Sequence, residues 1–344
     1  MDISRTEPGG HPAEAAATGP SAQPPARTGR SGRTGRAGGP GRPRTQRSRQ
    51  RLAAFGFLAP ALAYLAVFFG YPLVQNISMG FRDYTVASFY TGAAPFTGLR
   101  NYTEVLGDPV FVKALVNTAV FTAGSLVFQF GIGLALAVYF NGRFLGSALL
   151  RSLLLLPWLL PLVVSGAVWR WMLDQDHGVV NTALRALHLA GGSAGVPWLT
   201  SPSWALPAVI LANVWIGIPF NLVLLHGGLR AIPDVLYEAA ELDGAGPWQR
   251  FRHVTWPLLR PVSGVVLMLG LVYTVKVFDV IMVVTRGGPA NASQTLTTWS
   301  YQLSFQQFQF GQGAAVGNLL ILITTGFGLL YLRSARAGLA EAAS

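Results

Sequence analysis

From Leu52 to about Phe81 the chain is almost entirely apolar, and five more runs of this kind follow: about Val112–Phe140, Ser152–Leu173, Ala205–Leu225, Val262–Thr285, and one closing near Leu332. Each is at least as long as the roughly 20 residues a helix needs to cross a bilayer, and the first exceeds it, so its ends are expected to protrude. Inside hydrocarbon every backbone N–H and C=O must be satisfied within the protein, so runs of this length fold as helices. The expected fold class is an all-α membrane protein with six transmembrane helices. Composition agrees: 51% of residues are hydrophobic and 11% are charged, against about a quarter charged in soluble domains.

Several spans carry groups that a lipid-facing helix avoids. Asn117, Thr118, Ser125 and Gln129 lie in the second span, and Asn213 and Asn221 in the fourth. Polar groups in hydrocarbon face other helices or a cavity. Pro157 and Pro161 predict a kink in the third span. Between the spans, residues 82–111, 174–204 and 286–311 read as outer loops, and Asn141–Arg151 as a short inner one.

The net charge of +11 is concentrated at the start. Residues 1–51 hold ten arginines among Gly, Pro, Ala, Ser and Thr, a composition that cannot bury a core. This stretch reads as a disordered basic tail. A nucleic-acid arm and an organellar transit peptide are alternatives. The preferred reading is retention on the cytoplasmic side by the positive-inside rule, in contact with anionic membrane lipid and not with nucleic acid. With the six-span map, inner loops and tails carry eighteen of the twenty-five basic residues, which places both termini in the cytoplasm of a cell-membrane protein. The domains are then 1–51, a membrane domain over 52–335, and a cytoplasmic tail over 336–344.

There is no cysteine, which excludes disulfides and thiolate metal sites. The two lysines, Lys113 and Lys276, follow no glycine-rich loop, so any ATP must be hydrolysed by another chain. No Ser–His–Asp set, carboxylate pair or dense metal-ligand cluster emerges. Asp174, Asp176, His177 and His188 are too sparse, and His226 and His253 stand singly. The expectation is a protein with no catalytic residue, metal or cofactor of its own.

The largest polar island between two apolar runs is 232–261, IPDVLYEAAELDGAGPWQRFRHVTWPLLRP. Pro233 suits a first helical turn, with Asp234 and Glu238 near its positive end. Gly244 and Gly246 stop that helix, because glycine enters the left-handed region cheaply. Pro247 starts a second helix, and Pro257 ends or bends it. Leu236, Ala239, Ala240 and Leu242 recur at helical spacing, with little bulk at the alanines. Such a hairpin either rests on lipid headgroups or is presented to a partner protein, and periodicity does not choose.

Glu238-Ala239-Ala240, Asp243-Gly244-Ala245, then Phe251, Val254, Pro257 and Pro261 resemble the EAA loop of binding-protein-dependent ABC importer permeases. Val254 and Trp256 depart mildly from the usual isoleucine and leucine. Pro60, Tyr71-Pro72, Gly98-Leu-Arg-Asn-Tyr102, Asn117-Thr118, Phe278-Asp279 and Thr285-Arg-Gly-Gly-Pro289 extend the likeness over about 52–335, within the carbohydrate-uptake branch of maltose or glycerol-phosphate type. The resemblance implies a type I ABC importer permease fold. It also implies that Glu238, Ala239, Ala240, Asp243, Gly244 and Ala245 form a coupling helix seated on a cytoplasmic ATPase. The implied partners are a second homologous permease, two ATPase subunits and an extracytoplasmic solute-binding protein.

A sugar importer needs aromatic faces for C–H surfaces and amide or acidic groups for hydroxyls, near mid-membrane. Gln129, Asn213, Asn221, Tyr273 and Phe278 are candidates, against the alternative that the amides only join helices. Lys276 and Asp279, three apart on the fifth span, are added as intramembrane charges that pair internally or, for Lys276, snorkel outward. Arg170, between Trp169 and Trp171, reads as an interfacial anchor. The leading function is import of a sugar or sugar-like solute. An ABC importer of another solute, a self-sufficient secondary transporter and an intramembrane enzyme are the alternatives; the last two lack internal repeats, an acidic cluster or a catalytic set.

Overall fold

The computed structural model describes residues 56–142, 144–189 and 195–341. The basic tail expected over 1–51, together with Arg143, lies outside them. The described part of the first unit, residues 56–61, is exposed helix; the other described residues belong to the unit Leu62–Ser344.

Among the described residues, five helices are long and apolar enough to cross a membrane: α1 (Gly56–Met79), α4 (Pro109–Asn141), α8 (Pro202–Arg230), α10 (Pro247–Val275), and the Phe310–Tyr331 part of α13 (Phe310–Glu341). Shorter helices lie between them: α2 (Val86–Thr91), α3 (Arg100–Gly107), α5 (Ser147–Leu159), α6 (Leu162–Met172), α7 (Val179–Ala186), α9 (Asp234–Leu242), α11 (Asp279–Val284) and α12 (Leu296–Tyr301). α13 runs on to Glu341, through most of the stretch expected as a C-terminal tail.

Two spans differ from expectation. The third is broken outright: α5 and α6 meet at 98°. Leu160 and Pro161 are extended there, and Pro161 has no N–H with which to continue the ladder. The fifth begins earlier and ends earlier than Val262–Thr285. Pro257 does not end the helix that Pro247 starts, because a π turn over Phe251–Thr255 lets the Trp256 N–H bond five residues back, to the Phe251 carbonyl, just before the proline. The hairpin's second arm is therefore continuous with the span. At the other end the helix stops at Val275, and α11 starts afresh at Asp279.

The centre of the bundle is the pairing of α4 with α8, its most extensive helix contact. Small residues permit it. A methyl group at Gly217 would overlap the Gln129 side chain, and one at Gly133 would run into Asn221. Three apolar clusters form around the pair. One gathers Phe121, Ala208, Ala212 and Val280. A second holds Ala137, Leu225, Leu259 and Ile232. The third places Leu296, Trp299 and Leu303 against Ala114 and Val316.

The last of these belongs to the segment 286–311, read from sequence as a loop. Its first half is instead fastened to α4. Asn117 Nδ2 donates to the carbonyls of Gln294 (2.9 Å) and Asn291 (3.2 Å), and Thr118 Oγ1 accepts from the Leu296 N–H at 2.9 Å. The Asn101-Tyr102 pair does similar work nearby. Asn101 Nδ2 donates to the carbonyls of Gly80 and Arg82, while Tyr102 Oη accepts from Asn318, whose Oδ1 accepts from Asn76 of α1.

Candidate functional site

α4, α8, the α5–α6 break and the end of α10 line an open cavity of about 410 Å³. Gln129, Asn213, Tyr273, Lys276, Phe278 and Asp279 all line it, joined by Trp158, Leu162, Gly217 and Phe220. Gln129 and Asn213 are almost fully buried. Gln129 Nε2 donates to the Asn213 backbone carbonyl at 2.9 Å across the α4–α8 seam. Asn213 Nδ2 is buried without a hydrogen-bond partner. An amide left in that state costs about 1–3 kcal/mol, so its retention asks for a reason.

Four aromatic rings, Trp158, Phe220, Tyr273 and Phe278, share the wall with Leu162, Ile216 and Val277. Phe220 contacts Trp158 (ring centroids 6.1 Å) on one side and Tyr273 (5.9 Å) on the other. Aromatic faces carry negative potential and suit C–H or cationic groups. Lys276 already uses one: its Nζ sits 4.9 Å from the Tyr273 ring centroid.

Two sequence candidates fall elsewhere or behave otherwise. Asn221 is buried against Gly133, donates to its own helix at the Gly217 carbonyl, and is absent from the cavity wall. There the helix-joining role of amides prevails. Lys276 and Asp279 do not share a helix face, because α10 ends at Val275 and α11 starts only at Asp279, and among the described residues they form no ion pair. Sequence reading missed Trp158, Phe220 and Gly217. Each lies beside a proline or a glycine-permitted contact, but only packing shows that they converge. Arg170 donates to the Val283 carbonyl at 3.4 Å from an exposed position, and Trp169 beside it is buried rather than interfacial.

The second assembly is the elbow between α8 and α10. No residue of α9 is buried. Its end is a full Schellman stop: the Gly244 N–H bonds the Glu241 carbonyl (3.0 Å) and the Ala245 N–H bonds the Ala240 carbonyl (2.9 Å), with Gly244 at φ +77°. Ala240, Gly244 and Ala245 are thus one device. Gly246 is not part of it; at φ −69° it precedes α10, and its N–H donates to Gln249 Oε1 at 2.8 Å. Glu241 pairs with Arg250 across the turn, and Tyr237 Oη meets Thr255 Oγ1 at 3.0 Å. Around this braced turn Glu238, Ala239 and Asp243 are exposed, as are Leu242 (91%) and Trp248 (68%). Leu242 and Trp248 thus stand exposed on either side of the turn.

Among the described residues there is no group of three potential metal ligands. Asp174 instead caps its own turn, accepting from the His177 N–H at 2.9 Å and the Asp176 N–H at 3.1 Å, which holds its carboxyl below the usual range.

Residues 129–337 match the family model described as "Binding-protein-dependent transport system inner membrane component". The chain is 34% identical to the trehalose/maltose transport system permease protein MalF of Thermococcus litoralis, over 85% of this chain and 97% of that one. It is 33% identical to the sulfoquinovosyl glycerol transport system permease protein SmoG of Agrobacterium fabrum, over 83% and 91%. It is also 33% identical to the diacetylchitobiose uptake system permease protein DasB of Streptomyces coelicolor, over 82% and 86%. A solved chain from a bacterial ABC transporter involved in the import of the acidic polysaccharide alginate shares the fold, with a TM-score of 0.73 at 22% identity, covering 85% of this chain and 98% of that one. The chain belongs to the family of binding-protein-dependent transport system inner membrane components and has the type I ABC importer permease fold.

Proposed function

We propose that this inner-membrane component carries a sugar or sugar-like solute through the cavity between α4, α8 and the end of α10, driven by ATPases that engage the 232–261 elbow. The chain performs no bond chemistry and holds no cofactor; ATP stays with the partner subunits. The observation that carries this reading is the braced, exposed turn at Ala240–Ala245, whose rigidity suits the transfer of a push into α10. Because α10 is continuous from Pro247 to Val275, motion at the elbow reaches Tyr273 and the cavity wall without a flexible joint.

Glu238, Ala239, Ala240, Asp243, Gly244 and Ala245 form the coupling surface in this reading. Gln129, Asn213, Tyr273, Phe278, Lys276 and Asp279 contact solute, whereas Asn221 supports the helix seam. The partners are a second, homologous permease, two cytoplasmic ATPases and an extracytoplasmic binding protein. Both termini and the elbow lie in the cytoplasm, in line with the arginine distribution, and residues 1–51 form a basic cytoplasmic tail beside the 52–335 membrane domain. Sugar is favoured because three relatives carry names of saccharide-type systems and because the cavity combines four aromatic rings with buried amides. An importer of a non-sugar solute is the second reading.

The test replaces Glu238→Lys and Gly244→Val separately, then measures solute uptake and recovery of the ATPase with the purified permease. Loss of uptake or of ATPase recovery is expected in both. Wild-type uptake and assembly in both variants would defeat the proposal.

A further inference from the structure

The aromatic wall of the cavity does not end at the cavity. Phe278 lines it and contacts Tyr301 at a centroid distance of 4.8 Å; Tyr301 contacts Phe305 at 5.1 Å, and Phe305 contacts Phe310 at 6.2 Å. Phe220 and Tyr273, in contact with each other, line the same cavity as Phe278, so the file starts at the wall that holds the buried amides and runs to the exposed Phe305. The local backbone is arranged to produce it. After α12, a π turn over Gln302–Gln306 widens the helix by one residue per turn, which keeps Tyr301 and Phe305 in contact on one side while Leu303 is buried on the other.

Phe305 is 61% exposed, on an amide-rich segment where Phe308 is exposed too: Gln306, Gln307 and Gln309 are exposed beside it. An exposed ring amid hydrogen-bonding amides is the combination that recognises a saccharide, whose C–H face meets an aromatic face while its hydroxyls meet amides. The spacing of the rings, about 5–6 Å, is of the order of one sugar unit along a chain.

We infer that Phe278, Tyr301, Phe305 and Phe310 form an outer track for a linear oligosaccharide, whose leading unit reaches the Gln129–Asn213 cavity while trailing units rest on the file. This rests on the reading that the chain moves sugars through the cavity, and it narrows the solute to one longer than a single ring.

The absence of cysteine permits a direct test. Phe305→Cys and, separately, Phe278→Cys are made in the assembled transporter, and a membrane-impermeant maleimide is followed on this chain's gel band. Maltotetraose, cellotetraose and chitotetraose are each supplied with the binding protein, alongside glucose and N-acetylglucosamine. At saturation a tetrasaccharide slows labelling of the Phe305→Cys variant by roughly an order of magnitude, while no monosaccharide does. Protection of the Phe278→Cys variant alone would overturn the track and leave the sugar cavity standing. Protection of neither variant would remove both. Equal protection of the Phe305→Cys variant by sugar-free binding protein would make the file a protein-docking surface and likewise overturn the track. Uptake by a Phe305→Leu variant, falling for tetrasaccharide relative to disaccharide, supplies a readout independent of labelling.

Discussion

Gln129 and Asn213 meet across the α4–α8 seam, and only half of that meeting is satisfied: the Gln129 amide donates to the Asn213 carbonyl at 2.9 Å, while the Asn213 side-chain N–H₂ stays buried and unpartnered. It is one of six buried side-chain polar atoms without a hydrogen-bond partner among the described residues, and Asn213 alone of those six residues lines the cavity. On the proposed function, its amide is the donor offered to a solute oxygen.

Asn213→Leu therefore separates function from stability. Replacing an unpartnered buried amide with an apolar side chain of similar shape is neutral or stabilising by about 1 kcal/mol, whereas loss of one hydrogen bond to solute lowers uptake about ten-fold. Thermal unfolding in detergent and transport in proteoliposomes report the two effects. A marked drop in unfolding temperature would show that Asn213 is helix glue instead.

Gly217 is required by the same seam. Its added methyl group in Gly217→Ala would overlap the Gln129 side chain, at an expected cost of about 1–3 kcal/mol. Gly227, ten residues on in the same helix, has open space around it, so Gly227→Ala is expected to be neutral or to stabilise by up to about 1 kcal/mol. Parallel thermal melts of the two variants check the contrast.

At the elbow the controlling property is backbone handedness. Gly244 sits at φ +77° with nothing near its absent side chain, so any penalty there is conformational and not steric crowding. Gly244→Val is expected to cost about 1–2 kcal/mol locally and to uncouple ATP hydrolysis from uptake. Gly244→Asn, which tolerates the left-handed region, retains most coupling. The ratio of solute moved to ATP hydrolysed in the reconstituted transporter measures this; equal losses in both variants would point to side-chain crowding by a partner.

The tie between α3 and α13 responds to acid. Arg100 donates to Glu104 at 2.8 Å and Gln312 donates to its other oxygen at 2.9 Å, which holds the Glu104 carboxyl below its ordinary value of 4.5. A lowered carboxylate contributes above the ordinary value and loses that contribution as pH falls through the lowered one. The contribution is small, since both side chains are well exposed. Amide exchange over 100–107 is expected to quicken below about pH 4.5 in the parent chain and to be insensitive to pH in Glu104→Gln once intrinsic exchange is subtracted.

The spans, the elbow and its glycine stop are legible in the sequence because they depend on local rules: apolar length, the left-handed freedom of glycine and the proline at a first turn. Six of the seven intramembrane candidates line one cavity for a similar reason. Polar residues in hydrocarbon must face inward, and inward positions converge. Other features depended on partners far along the chain. Whether the third span is kinked or broken, whether Pro257 ends a helix, and whether Lys276 meets Asp279 were decided by backbone geometry that no residue carries alone. Asn213 and Asn221 are chemically identical on one helix, yet one lies at an open cavity and the other is pressed against Gly133. A two-turn rotation around α8 cannot be read as lining or packing until α4 is in place, and close packing of α4 on α8 is a property of the fold, not of either strip of sequence.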